Sequence, residues 1–320
     1  MAKKKTMGRE DDPEELTYFQ DLQGYAKRNA HGRMRKGGMF SLCVRASFGA
    51  CYDFNLHAWT EKNSEAAYFW LPALRGICED LLVLNYIHGM APAVREELIT
   101  KLIAHELETN LQTQHAFFGA IRPYQPHLRP ARSVTELNTL EDEIRSIWRA
   151  NGWPQMFRGV KPPTRDMAAK KGGAVLESLY DYLYRVTSNT VHFNVSGLLR
   201  TGWGKPNVFA FSPRNFHRYY TMFGRTYGAY MFCCYFELFG RFIRTNATEK
   251  EKVHRIRKAI LYQDRWPEMV TFEEMNLRPP QWNVLQTIGA FMDGECHRRI
   301  LDVGRGASNN ATRRTGFAGR

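Results

Sequence analysis

An aromatic, apolar run at residues 219–243 constrains the fold of this chain more than any other feature. The run has the length of a membrane-spanning helix, but it contains two arginines and a glutamate, whereas a spanning helix carries few or no charges. We therefore expect no membrane span, and instead a buried central helix of a bundle. Gly224 and Gly228 lie about one helical turn apart and would let another helix approach closely, either within the chain or between two chains.

Helical periodicity covers most of the remaining sequence. Acidic first turns, a proline at a first-turn position and a possible capping box at Ser133 and Glu136 indicate where helices begin. The pattern predicts helices at 13–29, 40–62, 64–89, 91–120, 134–150, 166–199, 213–245, 248–262 and 280–301, with Ser64 as an N-cap, a kink at Gly172 and Gly173, and an extended piece at 208–211. The predicted class is all-α, a bundle of long helices.

One basic, proline-rich region interrupts this pattern. Residues 122–173 contain six prolines, and their ten lysines and arginines outnumber five acidic residues. A long excursion of this kind is either a solvated surface insertion or a lid that faces a substrate, and both interpretations stay open. The predicted organisation is a disordered N-terminus at 1–12, a single helical domain at 13–301 with its core motif region at 40–200 and its basic insertion at 122–165, and a disordered basic tail at 302–320.

The net charge of +13 favours a polyanionic partner, either nucleic acid or an anionic membrane surface. Part of this excess lies near the end of the chain, because residues 298–320 hold six arginines and one aspartate. Six cysteines without a CxxC pair, and no apolar signal segment at the N-terminus, predict a reducing cytoplasm, no disulfide framework and no zinc site.

No sequence motif indicates a cofactor. The chain contains no HExxH, Walker loop or GxGxxG pattern. Glu251 and His254 form a single ExxH, whereas a di-iron bundle needs two such motifs and further carboxylates. His105 and His115 fall on different faces of their predicted helix. We therefore predict neither a metal site nor a bound cofactor.

The segment 180–192 carries the strongest functional pattern. On a continuous helix, Arg185, Ser188, Asn189 and His192 fall at i, i+3, i+4 and i+7 and share one face. Imidazole can take and give a proton near neutral pH, and an arginine can hold a phosphate and stabilise the charge that develops on it. These four residues are the predicted catalytic set.

A second polar pair lies on the apolar helix predicted at 64–89. Arg75 and Glu79 are four residues apart and could form an ion pair within that helix. Alternatively, both could meet Arg185, Ser188 and His192 across a helix interface, where Glu79 would orient His192 or hold Arg185. The sequence leaves both arrangements open.

These motifs resemble an uncharacterised bacterial all-helical family, domain of unknown function 5677. The resemblance covers about residues 40–199. It rests on an R-x-x-x-E helix, matched by Arg75 and Glu79, and on a later helix matched by Tyr184, Ser188 and His192. It implies an all-helical fold and assigns no activity.

The spacing of Arg185 and His192 is also similar to the R-x(4–6)-H motif of HEPN-like helical domains. The chain departs from that motif at Val186, where the family usually has Asn, Asp or His. The resemblance implies metal-independent cleavage of RNA rather than DNA, a homodimer in which two motifs meet, and a role as a bacterial toxin or phage-defence effector. In this interpretation Arg75, Glu79 and Tyr184 support the catalytic set. The alternative is a non-catalytic binding module, whose Arg/Glu/Ser/His cluster is a structural polar network or a pocket for an anionic ligand.

A last segment, 214–225, mixes basic and aromatic side chains. Such a mixture suits single-stranded nucleic acid, because bases stack on aromatic rings while cations contact phosphates. The competing interpretation, which the abundance of aromatic residues favours, is a helix N-terminus that enters the core.

Overall fold

The computed structural model describes residues 17–30, 38–61, 64–153, 157–192, 194–205, 208–268 and 282–283. Most of these residues are helical, which confirms the predicted all-α class. The α-helices are α1 (Gln23–Ala30), α2 (Met39–Thr60), α3 (Trp70–His88), α4 (Pro92–Ile121), α5 (Val134–Ala150), α6 (Thr164–Lys171), α7 (Gly173–Leu179), α8 (Arg185–Ser188), α9 (Val195–Leu199), α10 (His217–Phe239) and α11 (Ala247–Leu261). Short 3₁₀ turns precede α1 and α3, and a π-helix, Tyr180–Tyr184, joins α7 to α8.

Three short strands form a small antiparallel sheet. They are β1 (Gly202–Lys205), β2 (Val208–Phe211) and β3 (Trp282–Asn283), in the order β2-β1-β3. β2 confirms the extended piece predicted at 208–211. The helix predicted at 280–301 is wrong at β3, and its other residues lie outside the described part of the chain, as do the predicted disordered segments 1–12 and 302–320.

Helix ends with a local chemical signal are predicted well. The Ser133 hydroxyl accepts from the Glu136 amide at 3.3 Å, while the Glu136 carboxylate accepts from the Ser133 amide at 2.7 Å, so α5 begins with the predicted capping box. Asn246 and Glu249 form a second capping box before α11. Pro92 occupies the first turn of α4, where its missing N–H is no cost.

Three predicted boundaries are wrong. Ser64 accepts from the Ala66 amide at 3.3 Å, but a 3₁₀ turn follows and α3 begins only at Trp70. The helix predicted at 213–245 begins at His217, because Phe216 has a φ of 63° in the left-handed region, which a helix interior excludes. In the predicted helix 166–199 the kink expected at Gly172 and Gly173 is present, since Gly173 has a φ of 61°, but the helix does not continue to 199, because α8 ends at Ser188.

The central helix predicted from the aromatic run is confirmed as α10, which packs on both α2 and α3. A Cβ atom on Gly224 would lie 2.7 Å from the Trp70 ring, and one on Gly228 would lie 2.6 Å from Phe54. The Asn55 amide donates to the carbonyl of Gly228 at 3.0 Å. The glycine pair therefore serves close packing within the chain. Among the described residues, no helix is long and apolar enough to cross a membrane.

The charged residues of the aromatic run have structural partners. Arg225 is buried, and its guanidinium donates to the carbonyls of Ala58 at 2.9 Å and Glu61 at 2.8 Å, at the C-terminal end of α2. This satisfies carbonyl groups that a helix end leaves without intrahelical donors. Glu237 forms an ion pair with Arg257 of α11. Arg225 is therefore buried together with its acceptors, whereas Glu237 is exposed and forms its ion pair at the surface.

The basic insertion predicted at 122–165 is attached to the bundle through α5. This helix packs along α4, and Ile144 and Trp148 on its apolar face are fully buried. The Trp148 indole donates to the carbonyl of Val160 at 3.0 Å, which holds the returning chain against α5. The irregular parts of the insertion therefore lie on either side of a helix that contributes to the core.

Candidate functional site

Arg75 is the centre of a polar cluster between α3 and the π-helix. On α3 it lies beside the buried Leu74 and is itself half-buried. Its Nε donates to the Ser188 Oγ at 3.0 Å, and its Nη2 donates to the Tyr184 Oη at 2.7 Å. The guanidinium carbon also lies 4.7 Å from the centroid of the Tyr184 ring. One cation therefore connects α3 to two residues of the motif segment.

The π-helix carries Tyr184, one of the two residues of the motif segment that Arg75 contacts. Within it, Tyr180 and Tyr184 stack with ring centroids 4.5 Å apart and an angle of 18° between the planes. The Ser188 hydroxyl donates to the Tyr184 carbonyl at 2.7 Å, so its oxygen can still accept from Arg75. Burial raises the pKa of Tyr180, and the neighbouring Tyr184 raises it further. π-helical turns often occur at functional sites, although the turn alone does not define one.

Glu79 has partners other than those predicted. Its carboxylate forms an ion pair with Lys161 at 2.5 Å and accepts from the Thr164 hydroxyl at 3.4 Å. Glu79 thus connects α3 to the end of the basic insertion and the start of α6. Neither an Arg75–Glu79 ion pair nor a contact of Glu79 with Arg185 or His192 is found among the described residues.

The continuous helix from which a shared face of Arg185, Ser188, Asn189 and His192 was predicted is not present. The α-helix ends at Ser188, and the amides of Asn189, Thr190 and Val191 bond carbonyls three residues earlier. Such bonds turn the backbone by about 120° per residue, against about 100° in an α-helix. The His192 amide, by contrast, bonds the Ser188 carbonyl four residues earlier at 3.1 Å. The backbone beyond Ser188 therefore mixes two kinds of turn instead of continuing one α-helix.

The structure separates the predicted catalytic set into supporting and exposed residues. Arg185 and His192 are exposed, whereas Ser188 and Asn189 are half-buried. The Asn189 side-chain oxygen accepts from the Asn194 amide at 3.0 Å and so holds the turn that leads into α9. Arg75 reaches Ser188 and Tyr184 but neither Arg185 nor His192 among the contacts of the described residues. The cross-helix arrangement is thus only partly confirmed.

The chain from residue 182 to residue 236 contains no aspartate or glutamate. It includes five arginines, one lysine and two histidines. Arg185, Arg214 and Arg218 are exposed, and the guanidinium of Arg200 lies 5.2 Å from the centroid of the Tyr219 ring. The positive charge of Arg214 is balanced by Glu65, which lies outside this segment of the chain and 3.2 Å from Arg214. The segment around His192 is therefore locally basic.

The mixed segment 214–225 is divided between core and surface. Tyr220 and Phe223 are buried, and Phe216 packs edge-on against Trp203 at 5.4 Å. These contacts favour the interpretation of a helix N-terminus entering the core. Arg214 and Arg218 of the same segment are exposed at the surface, and Arg214 pairs with Glu65.

The remaining candidate ligands do not assemble into a metal centre in the described residues. No group of three or more His, Cys, Asp and Glu side chains that could hold a metal ion is present there. The buried His105 contacts Glu141 at 3.1 Å, and His115 hydrogen-bonds to His127 at 2.8 Å. His254 is exposed on α11. Five cysteines, at 43, 51, 78, 233 and 234, are free thiols, and Cys296 lies outside the described residues.

Sequence reasoning missed Lys161 and Thr164, which hold Glu79, and Tyr180, which stacks on Tyr184. The first two lie more than 80 residues from Glu79, and no local pattern signals such a pair. Tyr180 could have been found, because an i, i+4 pair of aromatic residues on a helix places their rings next to each other.

Residues 70–206 of this chain match the model of a family of unknown function (DUF5677). The match begins at the first residue of α3 and ends just after β1, so it includes both the Arg75 cluster and His192. No match was found among curated proteins or among solved structures. Residues 70–206 of this chain thus resemble an uncharacterised family, and this region holds every residue of the predicted site.

Proposed function

We propose that the chain binds RNA and cleaves it without a metal ion, with Arg185 and His192 as the reacting side chains. The observation that carries this proposal is that Arg185 and His192 are both exposed. Ser188, which lies between them, and Tyr184, which precedes Arg185, are hydrogen-bonded to Arg75. Exposed reactive groups on a firmly held backbone can meet a substrate with little loss of conformational entropy.

The basic surroundings of His192 support an anionic substrate. Residues 182–236 contain cations and no acids, so a phosphate that approaches this segment meets no local repulsion from it. The overall charge of +13 acts in the same direction at longer range. RNA fits better than DNA because the proposed chemistry uses the ribose 2′-hydroxyl.

In the proposed reaction the 2′-oxygen attacks the adjacent phosphorus and the bond from phosphorus to the 5′-oxygen breaks. His192 either takes the proton of the 2′-hydroxyl or gives a proton to the leaving 5′-oxygen, and water or a second copy of the motif in a homodimer supplies the other transfer. Arg185 binds the phosphate and stabilises its added negative charge. The products are a 2′,3′-cyclic phosphate and a 5′-hydroxyl, so atoms and charge balance.

Cleavage of a labelled RNA mixture in EDTA tests this proposal, with Arg185→Ala and His192→Ala compared against the wild type. Loss of a general acid or base lowers a rate by about 10²- to 10⁴-fold. Arg255→Ala and His254→Ala are matched controls, since both residues are exposed on α11. Undiminished cleavage by His192→Ala, or equal losses in the controls, would contradict the proposal.

A second candidate function is a non-catalytic module that binds an anionic ligand. The Arg75 cluster favours this candidate over an enzyme, because its hydrogen bonds are made within the protein, as in a structural polar network. This candidate predicts RNA binding without cleavage. Arg185→Ala would then reduce the salt dependence of binding by about one phosphate contact and leave the RNA intact.

The proposed biological role, a bacterial toxin or phage-defence effector, follows from the HEPN-like resemblance. It predicts that expression in a bacterial host slows growth and that His192→Ala relieves the effect at equal protein level. Growth that is equally slow with both proteins would argue against an enzymatic toxin.

A further inference from the structure

An aromatic cleft lies beside the motif segment and has no role in the proposed reaction. Its volume is about 430 Å³, and the rings of Tyr182, Tyr227, Tyr230 and Trp266 line it together with shorter side chains of α7. Clefts of about 300–1,000 Å³ with mostly apolar walls commonly hold small ligands. A smaller cavity of about 140 Å³ continues from it and shares Val175 and Tyr230.

The rings form a corner rather than a single stack. Tyr227 stands at 85° to Trp266 with centroids 5.6 Å apart, and Tyr230 stands at 69° to the same ring at 5.1 Å. Tyr182 lies 5.6 Å from Tyr227. The hydroxyls of Tyr182 and Tyr227 both donate to the Pro267 carbonyl, at 3.1 and 2.8 Å, which fixes the loop that carries Trp266. A planar ring that enters this corner meets one aromatic face and one aromatic edge.

The cleft has two electrostatically different ends. One wall of the cleft is formed by residues between 174 and 182. Tyr182, at the C-terminal end of this wall, contacts Tyr227, whereas Val175, near its N-terminal end, lies near Cys234. The wall therefore runs antiparallel to α10. The exposed Arg185 follows Tyr182 by three residues and so lies toward the Tyr182 end of the cleft. At the opposite end Glu237 and Arg257 neutralise each other.

We infer that this aromatic cleft is a base-binding subsite, in which a purine or pyrimidine of the RNA stacks while its phosphate lies toward Arg185. The inference rests on the proposed function, which it deepens by naming how a nucleotide is held. Stacking on aromatic side chains is the usual means by which single-stranded RNA is bound, since every base has a π face. The short, apolar wall of α7 admits a flat ring beside Tyr230.

Equilibrium binding of the four ribonucleoside monophosphates, with ribose 5-phosphate as the ligand that lacks a base, tests this subsite by calorimetry. Val175→Trp would fill the cleft from its lip, where Val175 is 56% exposed, so folding is not at risk. Val134→Trp is the matched control, because Val134 is 65% exposed at the start of α5. Tyr230→Leu keeps an apolar side chain but removes one aromatic face.

The inference predicts that the wild type and Val134→Trp bind at least one nucleotide at least tenfold more tightly than ribose 5-phosphate. Val175→Trp and Tyr230→Leu should weaken that binding by about tenfold or more, the effect of one lost stacking contact. Equal binding of nucleotides and ribose 5-phosphate, no binding by the wild type, or unchanged binding in both cleft variants would overturn it. Wild-type protein that binds the nucleotides but cleaves no RNA would refute the proposed function and leave the subsite intact.

Discussion

Replacing Arg75 by alanine should destabilise the protein and loosen the segment that carries Arg185 and His192. The change removes two hydrogen bonds from a charged donor, to Ser188 and Tyr184, and a cation–π contact. Bonds to charged groups contribute about 1.5–3 kcal/mol each, and a cation–π contact about 0.5–2 kcal/mol. Because Arg75 is half-buried, water replaces part of this loss, and we expect the free energy of unfolding to fall by about 2–4 kcal/mol.

Urea unfolding followed by circular dichroism measures this change. Arg255→Ala is the control, since Arg255 is 60% exposed and pairs with Glu251 on the same helix, where such a pair contributes about 0.5 kcal/mol or less. Arg75→Lys should recover less than half of the loss, because an ammonium cannot reproduce the planar fork that bonds Ser188 and Tyr184 together. An Arg75→Ala loss below about 0.5 kcal/mol, or full recovery by lysine, would refute the reasoning.

Further predictions concern the packing and the thiols of α10. Gly228→Ala should lower the free energy of unfolding by about 1–3 kcal/mol, because its Cβ would lie 2.6 Å from Phe54. Gly49→Ala is the control; its Cβ would meet no atom within 4 Å, and the variant should raise the free energy of unfolding by about 0.5–1 kcal/mol. Urea unfolding measures both changes. Burial raises the pKa of Cys233 and Cys234 from 9.0 to about 12. The two thiols contribute their full stabilisation below the pKa of the unfolded chain, and this stabilisation is lost as pH rises from about 9 toward 12. The urea concentration at the unfolding midpoint should therefore decrease as pH rises above about 9. The decrease should be less steep when both cysteines are replaced by alanine. A native protein whose Cys233 and Cys234 react with Ellman's reagent as fast as the unfolded chain would contradict their burial.

The features predicted correctly are those with local causes. The capping box of Ser133 and Glu136 places the start of α5 because both partners lie within one turn. The break near Gly172 follows from the same kind of reasoning, since glycine readily adopts the positive φ found at Gly173. The aromatic run predicts the central helix α10 because its length suits a long helix and its three charged residues argue against a membrane span.

The features that were missed depend on distant or competing contacts. The helical period through residues 185–192 gives no sign that the helix ends at Ser188, where the bond from Asn194 to Asn189 holds a tighter turn. The pairing of Lys161 with Glu79 joins residues 82 positions apart, and no local pattern specifies it. Short strands such as β1, which contains Gly202 and Gly204, carry too little alternation for a sequence prediction.

The identity of the site was therefore only partly predictable. Arg75 and Ser188 were singled out from polar spacing and Tyr184 from the family resemblance, and the structure joins the three. Ser188 and Tyr184 are bonded to Arg75, whereas Arg185 and His192 are exposed. This difference depends on tertiary packing, which one sequence alone does not specify.

The central claim is that Arg185 and His192 cleave RNA through the ribose 2′-hydroxyl. The measurement that tests it most directly is single-turnover cleavage of a defined RNA in EDTA, with the product ends identified and a matched substrate that carries 2′-deoxyribose at the cleavage site. We predict 2′,3′-cyclic phosphate and 5′-hydroxyl ends, no cleavage of the deoxy substrate, and a loss of about 10²- to 10⁴-fold in His192→Ala but not in His254→Ala. Equal cleavage of the deoxy substrate, 3′-hydroxyl ends, or a wild-type rate in His192→Ala would contradict the claim.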